Sequence, residues 1–171
     1  LKSLGLSEAE GNDKQVPSSL WRAPREAVLG FLSALFTADG TVNISSYKAS
    51  CSVRLAGSSK QLLKDVQRLL LNEGIVAKLY LRRKAGEKLM PDSKRRPKLY
   101  AFKEQYELVL DGQSRDRFLR QIGFMTPSKQ NKALAWLDAK ERRSSRDSFT
   151  DHVKSIAPAA AADVYCTTEP E

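Results

Sequence analysis

The chain has 171 residues, 41% of them hydrophobic, with 29 Lys and Arg against 20 Asp and Glu, a formal charge of +9 and a pI near 9.7. That suits one domain with a sizeable core and a tail, and it excludes disordered and collagen-like classes. No apolar run reaches the roughly 18 to 20 residues that cross a bilayer, Leu1 to Lys14 lacks a signal-peptide pattern, and Cys51, Cys166 and the lone His152 are too scattered for a zinc site or a disulfide framework. The expectation is a cytoplasmic protein with no membrane partner, whose chemistry, if it has any, falls to carboxylates with a metal or to lysines.

Residues 1–24, with Pro17, Pro24 and little periodicity, read as a linker or arm. A helix begins near Arg25. From Ala27 to Ala38 every residue but Ser33 and Thr37 is apolar or Gly, which predicts a central helix buried on both faces, ended by Asp39-Gly40. Alternation over Thr41–Tyr47 and Ala49–Ala56 then predicts a hairpin with one apolar and one polar face.

Ser58 can cap a second helix running to about Asn72, with Leu62, Leu63, Val66, Leu69 and Leu70 at helical spacing and Gly74 at its end. Ile75–Lys84 reads as a strand with Ala77, Leu79 and Leu81 inward, and Leu99–Leu110 as its partner, joined by a loop from Gly86 to Lys98. A helix from about Ser114 to Ile122 is broken by Gly123, and Pro127 opens another that runs to roughly Arg142. The order is αββαββα with one further helix. A linker over 143–162 leads to a short final segment, 163–171, that looks like the opening of a strand.

Most of the net charge lies in one stretch. Lys78 to Lys98 holds nine basic residues and two acidic ones, Glu87 and Asp92. Such a cluster fits a surface facing a polyanion, most often nucleic acid, though a solvated loop would carry the same composition. In the helix before it, Gly30, Ala34 and Ala38 recur at i, i+4 and i+8, leaving a face of small side chains where a second helix can approach closely, with Thr37 beside them.

The helix reads Leu32-Ser33-Ala34-Leu35-Phe36-Thr37-Ala38-Asp39-Gly40. Here the sequence resembles the LAGLIDADG homing endonucleases, a family of DNA-cutting enzymes often embedded in inteins. Five of the nine motif positions are identical and Thr37 replaces an acid; the Asp-Gly ending, the hairpin after it and the element order over 25–142 extend the likeness. Asp111-Gly112 also ends an apolar run, but that run reads as strand and is set aside.

The resemblance implies an α+β fold, a saddle-shaped four-stranded antiparallel sheet with helices on one face. It implies a site-specific double-strand DNA endonuclease in which two motif helices pair and bring two aspartates together. Adjacent carboxylates suit Mg²⁺ or another divalent metal, with Asp39 and Gly40 the contribution of this chain. The stretch Ile122-Gly123-Phe124 followed by Lys129 matches a family segment whose lysine assists at the scissile phosphate or a water. The polar strand face is expected to read double-stranded DNA through Asn43, Ser45, Tyr47, Lys48, Ser52, Arg54, Lys78, Tyr80, Arg82, Arg83, Lys84, Lys103 and Gln105.

One motif is half of what such a site needs. The second unit is expected either from a missing N-terminal half or from a second copy in a homodimer. Lys14-Gln15-Val16-Pro17 resembles the connection before a second motif in intein endonucleases, and Asp163–Pro170 resembles the truncated start of an intein's C-terminal splicing strand. Trp21–Glu26 resembles inteins of ribonucleotide reductases. The alternative is a catalytically inactive DNA- or RNA-binding module of the same fold, an RNA-splicing cofactor or a transcription regulator.

Overall fold

The computed structural model describes residues 13–45, 50–91, 93, 95–138, 153–158 and 161. After a short 3-10 turn at Ser18–Arg22 come α1 (Arg25–Asp39), β1 (Gly40–Ser45), β2 (Ser50–Gly57), α2 (Lys60–Asn72), β3 (Lys78–Arg83), β4 (Gly86–Pro91), β5 (Pro97–Phe102), β6 (Gln105–Leu110), α3 (Gly112–Gln121) and α4 (Pro127–Asp138). The expected α+β class and a four-stranded antiparallel sheet are both present, in the order β1-β2-β6-β3.

Alternation places Val53 and Leu55 of β2 and Tyr106, Leu108 and Leu110 of β6 inward, where they meet Leu32 and Phe36 of α1 and Leu63, Val66, Leu69 and Leu70 of α2 in one core. Phe36 packs on Phe118 of α3 with ring centroids 4.7 Å apart, and Phe118 meets Phe124 edge-on at 5.6 Å. Burial pushes the thiol of Cys51, on the inward face of β2, above its ordinary pKa.

Several expectations change. Ser59, not Ser58, caps α2: its Oγ accepts from the Leu62 N–H at 3.1 Å while donating to the Lys14 carbonyl. That bond ties down part of the stretch read as a linker. Val16 is buried in the core, and its N–H donates to the buried Asp65 carboxylate at 3.3 Å.

The basic segment 86–98 is not a loop. Its two ends are strands β4 and β5, which pair with each other from Gly86↔Phe102 to Pro91↔Pro97 as a separate hairpin. The expected strand 99–110 accordingly breaks at Lys103 and Glu104, with β6 alone joining the main sheet. In β3 the alternation holds through Leu81, which lies opposite the inward Tyr106, but Leu81 is exposed, and a register shift follows between Leu81 and Arg83.

The largest correction concerns α1. Only Leu32 and Phe36 are buried, with Val28, Phe31 and Leu35 partly buried against the core; Ala27, Gly30, Ala34 and Ala38 are exposed. An ideal Cβ on Gly30 would meet nothing within 4 Å. The described residues cover only the side of α1 that carries Leu32 and Phe36.

Candidate functional site

α1 runs straight into β1 at Asp39-Gly40. The Gly40 N–H closes the helix on the Phe36 carbonyl, and a Cβ at position 40 would lie 2.4 Å from that oxygen, so only glycine permits this approach. The preceding Asp39 carboxylate is exposed at the end of the open helix face.

The turn after α3 wraps the same helix end. Gly123 takes φ +66°, and the Gln130 side chain accepts from the Phe124 N–H at 3.0 Å. The Met125 N–H donates to Thr37 Oγ1 at 2.8 Å, while that hydroxyl donates to the Ser33 carbonyl at 2.7 Å. Thr37 is therefore a clamp as well as a neighbour of the small-residue face. Lys129 Nζ donates to the carbonyls of Thr37 and, at 2.8 Å, Gly40. A cation thus satisfies carbonyls left open at a helix C-terminus, where the dipole favours it. Lys129 and Asp39 share one helix end.

Asp39 and the Gly40 carbonyl are hard oxygen donors suited to Mg²⁺. Among the described residues there is no group of three or more His, Cys, Asp or Glu that could hold a metal ion. These two oxygens fit a hard divalent ion in kind, but the described residues do not by themselves make up a three-ligand site.

The outward sheet face follows from the strand register. Asn43 lies opposite Ser52, Thr41 opposite Arg54, Arg54 opposite Val109, and Lys78 opposite Val109 on the far side; Tyr80 lies opposite Glu107 and Arg83 opposite Gln105. Asn43, Ser45, Ser52, Arg54, Lys78, Tyr80, Arg83 and Gln105 are brought onto this one face. Lys78 pairs with Asp111 at 3.2 Å, and the Arg83 guanidinium stacks 4.4 Å over the Phe102 ring of the second hairpin. Lys84 follows β3, exposed. Lys103 lies off the sheet, in a cleft of about 530 Å³ shared with Lys60, Gln61, Glu104 and Tyr106. Tyr47 and Lys48 fall outside the described residues.

Sequence reasoning missed Glu107. Its carboxylate takes Arg54 Nη1 on Oε2 at 3.1 Å and Arg82 Nη1 on Oε1. The signal was present in the alternation Gln105, Glu107, Val109 against Tyr106, Leu108, Leu110, but only the strand register places this acid between the two arginines.

Comparison with known proteins decides the family. The LAGLIDADG-like domain model matches residues 26–123. The chain belongs to the LAGLIDADG-like domain family. Over 172 aligned residues, covering 99% of this chain, it is 31% identical to ribonucleoside-diphosphate reductase NrdEB subunit alpha of Bacillus subtilis (strain 168) and, with the same figures, to that of Bacillus phage SPbeta. The reductase likeness expected from Trp21–Glu26 is present in these relatives. It is also 33% identical over 132 residues, 76% of this chain and 14% of the relative, to the replicative DNA helicase DnaB of Synechocystis sp. (strain ATCC 27184 / PCC 6803 / Kazusa). The chain spans only 16% of the length of the reductase relatives. No helix among the described residues is long and apolar enough to cross a membrane.

Proposed function

We propose that this chain is one half of a site-specific double-strand DNA endonuclease embedded as part of an intein, active once a second motif helix pairs with α1. The observation that carries it is the open face of α1: Gly30, Ala34 and Ala38 are exposed in a row that ends at the exposed Asp39. A helix this apolar is expected to be covered. The likeness to a reductase and a helicase, proteins whose names share no activity, over small parts of their lengths, supports an inserted element.

In this reading the Asp39 carboxylate would hold one side of a divalent ion, joined by the Gly40 carbonyl through the lone pair that Lys129 does not use, and the partner's aspartate would hold the other. When bound, that ion offsets charge on the attacking and leaving oxygens of a phosphodiester. Lys129 carries three N–H donors, two of which its carbonyl partners take. The third is available to a scissile phosphate oxygen or to the attacking water. The outward sheet face lies along duplex DNA and positions the scissile bond.

The test supplies the second motif unit, fused or co-expressed, and scores cutting of a plasmid pool bearing a randomised cassette. Asp39→Asn should lower cutting by on the order of a hundredfold or more while leaving duplex binding within about twofold. Unchanged cutting would overturn the assignment. A second reading, a catalytically inactive DNA- or RNA-binding module, is favoured by the single carboxylate at the helix end. Tighter binding to structured RNA than to duplex DNA at matched salt, with no cutting in any metal, would select it.

A further inference from the structure

Glu107 is an acid on a face otherwise fit for a polyanion. It sits in the middle of the sheet, with Ala56 of β2 on one side and Tyr80 of β3 on the other, and its side chain is only 10% exposed. Each oxygen takes one guanidinium, from Arg54 on the first and Arg82 on the second. Arg54 is held from a second direction as well, its Nε donating to Ser52 Oγ at 2.9 Å. Nε and Nη1 of Arg54 are thereby engaged by the protein, which fixes the plane of the guanidinium and leaves Nη2 to meet a ligand. The two arginine side chains remain 31% and 55% exposed, so the network holds them without hiding them.

We propose that Glu107 is a positioning residue that sets sequence specificity on the DNA face, an inference that rests on the DNA-binding reading above. An arginine reads a base edge through two donors in a fixed fork; Arg82, engaged by Glu107 at Nη1, presents Nε and Nη2 for such a contact while Arg54 adds Nη2, and donors already oriented in the free protein lose less freedom on binding. A loose arginine is free to follow phosphates at any sequence. Glu107 also places a negative charge against the backbone of every duplex, which lowers binding that is not repaid by base contacts. Specificity is a difference of affinities, and both effects widen it.

The experiment uses the full chain with duplexes recovered from a randomised pool, and measures the ratio of dissociation constants for a scrambled and a selected duplex at one fixed salt. Glu107→Gln keeps size and shape but removes the charge. It should tighten binding to scrambled duplex several-fold and lower the ratio about tenfold, the discrimination of one bidentate base contact. Glu107→Asp keeps the charge but is one methylene short of spanning both arginines; it should lower the ratio without tightening scrambled binding. A merely structural ion pair would weaken both affinities together through the folded fraction, which a melting curve reads separately.

Equal ratios for wild type and Glu107→Gln would overturn the inference, and so would an undiminished ratio in Glu107→Asp. Wild-type binding with no sequence enriched would overturn it too, while leaving DNA binding intact. Wild type that binds no duplex either alone or with the second motif unit supplied would overturn the DNA reading itself.

Discussion

The two long helices that flank the sheet are built on opposite plans. α2 has a divided surface: Leu63, Val66, Leu69 and Leu70 are buried, and Lys60, Lys64 and Arg68 face solvent. Apart from the exposed Leu71 and the buried Asp65, which holds the Val16 N–H, its apolar and buried stripes agree, so most of the cover this helix needs is supplied within this chain. α1 is apolar nearly all round, yet buries only Leu32 and Phe36 and exposes Ala27, Gly30, Ala34 and Ala38. By composition α1 should be the more deeply buried of the two, and it is the less. The difference teaches that an apolar residue count reports how much surface wants cover, whereas only the fold shows how much of that cover the chain provides. What α1 lacks is on the side that ends at Asp39.

The buried sides of the two helices should nonetheless behave alike, and this is the sharpest common ground between them. Phe36 and Leu70 are both fully buried in the same core. Truncating a buried Phe to Ala costs about 3–5 kcal/mol and a buried Leu about 2–5 kcal/mol. Denaturant unfolding of Phe36→Ala and Leu70→Ala should show losses in those ranges, Phe36→Ala the larger because it also removes the ring contact with Phe118. A loss under about 1 kcal/mol at Phe36 would mean that α1 is not anchored to the core as described.

A second, smaller contrast lies at the helix starts. α1 opens on Pro24 with no side-chain cap, whereas α2 opens on Ser59, whose hydroxyl both caps the helix and binds the Lys14 carbonyl. Ser59→Ala should cost about 1–2 kcal/mol, the upper part of the range for losing a cap. It should also raise amide exchange at Val16, whose N–H rests on Asp65 in the next turn of the same helix. Exchange at Val16 unchanged by this substitution would show that the arm is held by Asp65 alone.

Much of this was legible in the sequence because local patterns and topology agree. The helix stop at Asp39-Gly40, the first hairpin, the period of α2 and the break at Gly123 all come from signals within a few residues. The segment 86–102 misled for an equally local reason: prolines and dense charge read as loop, but Pro91 and Pro97 stand at the strand ends of a two-stranded hairpin, where a missing N–H is tolerated. Glu107 was passed over because its meaning depends on Arg54 and Arg82, which lie on two other strands. Lys129 was found through the family likeness, while its anchoring on the carbonyls of Thr37 and Gly40, 92 and 89 residues away in sequence, needed the fold.

The weakest effect on folding is the one that separates the helices most cleanly. Ala34 is exposed in mid-helix, on the face where Gly30 meets open space. Leu is nearly as good a helix former as Ala, and a side chain added where nothing packs should move stability by no more than about 0.5 kcal/mol. Ala34→Leu should therefore leave the melting of the isolated chain almost unchanged. The same added volume in a close-packed interior costs about 1–3 kcal/mol, so a clear drop in melting temperature would mean that α1 is already covered and the contrast with α2 is false. With a second motif unit present the expectation reverses: the added side chains hold two small-residue faces apart, and association and cutting should both fall. Silence in the isolated chain together with disruption in the pair is the signature of a surface kept for a partner.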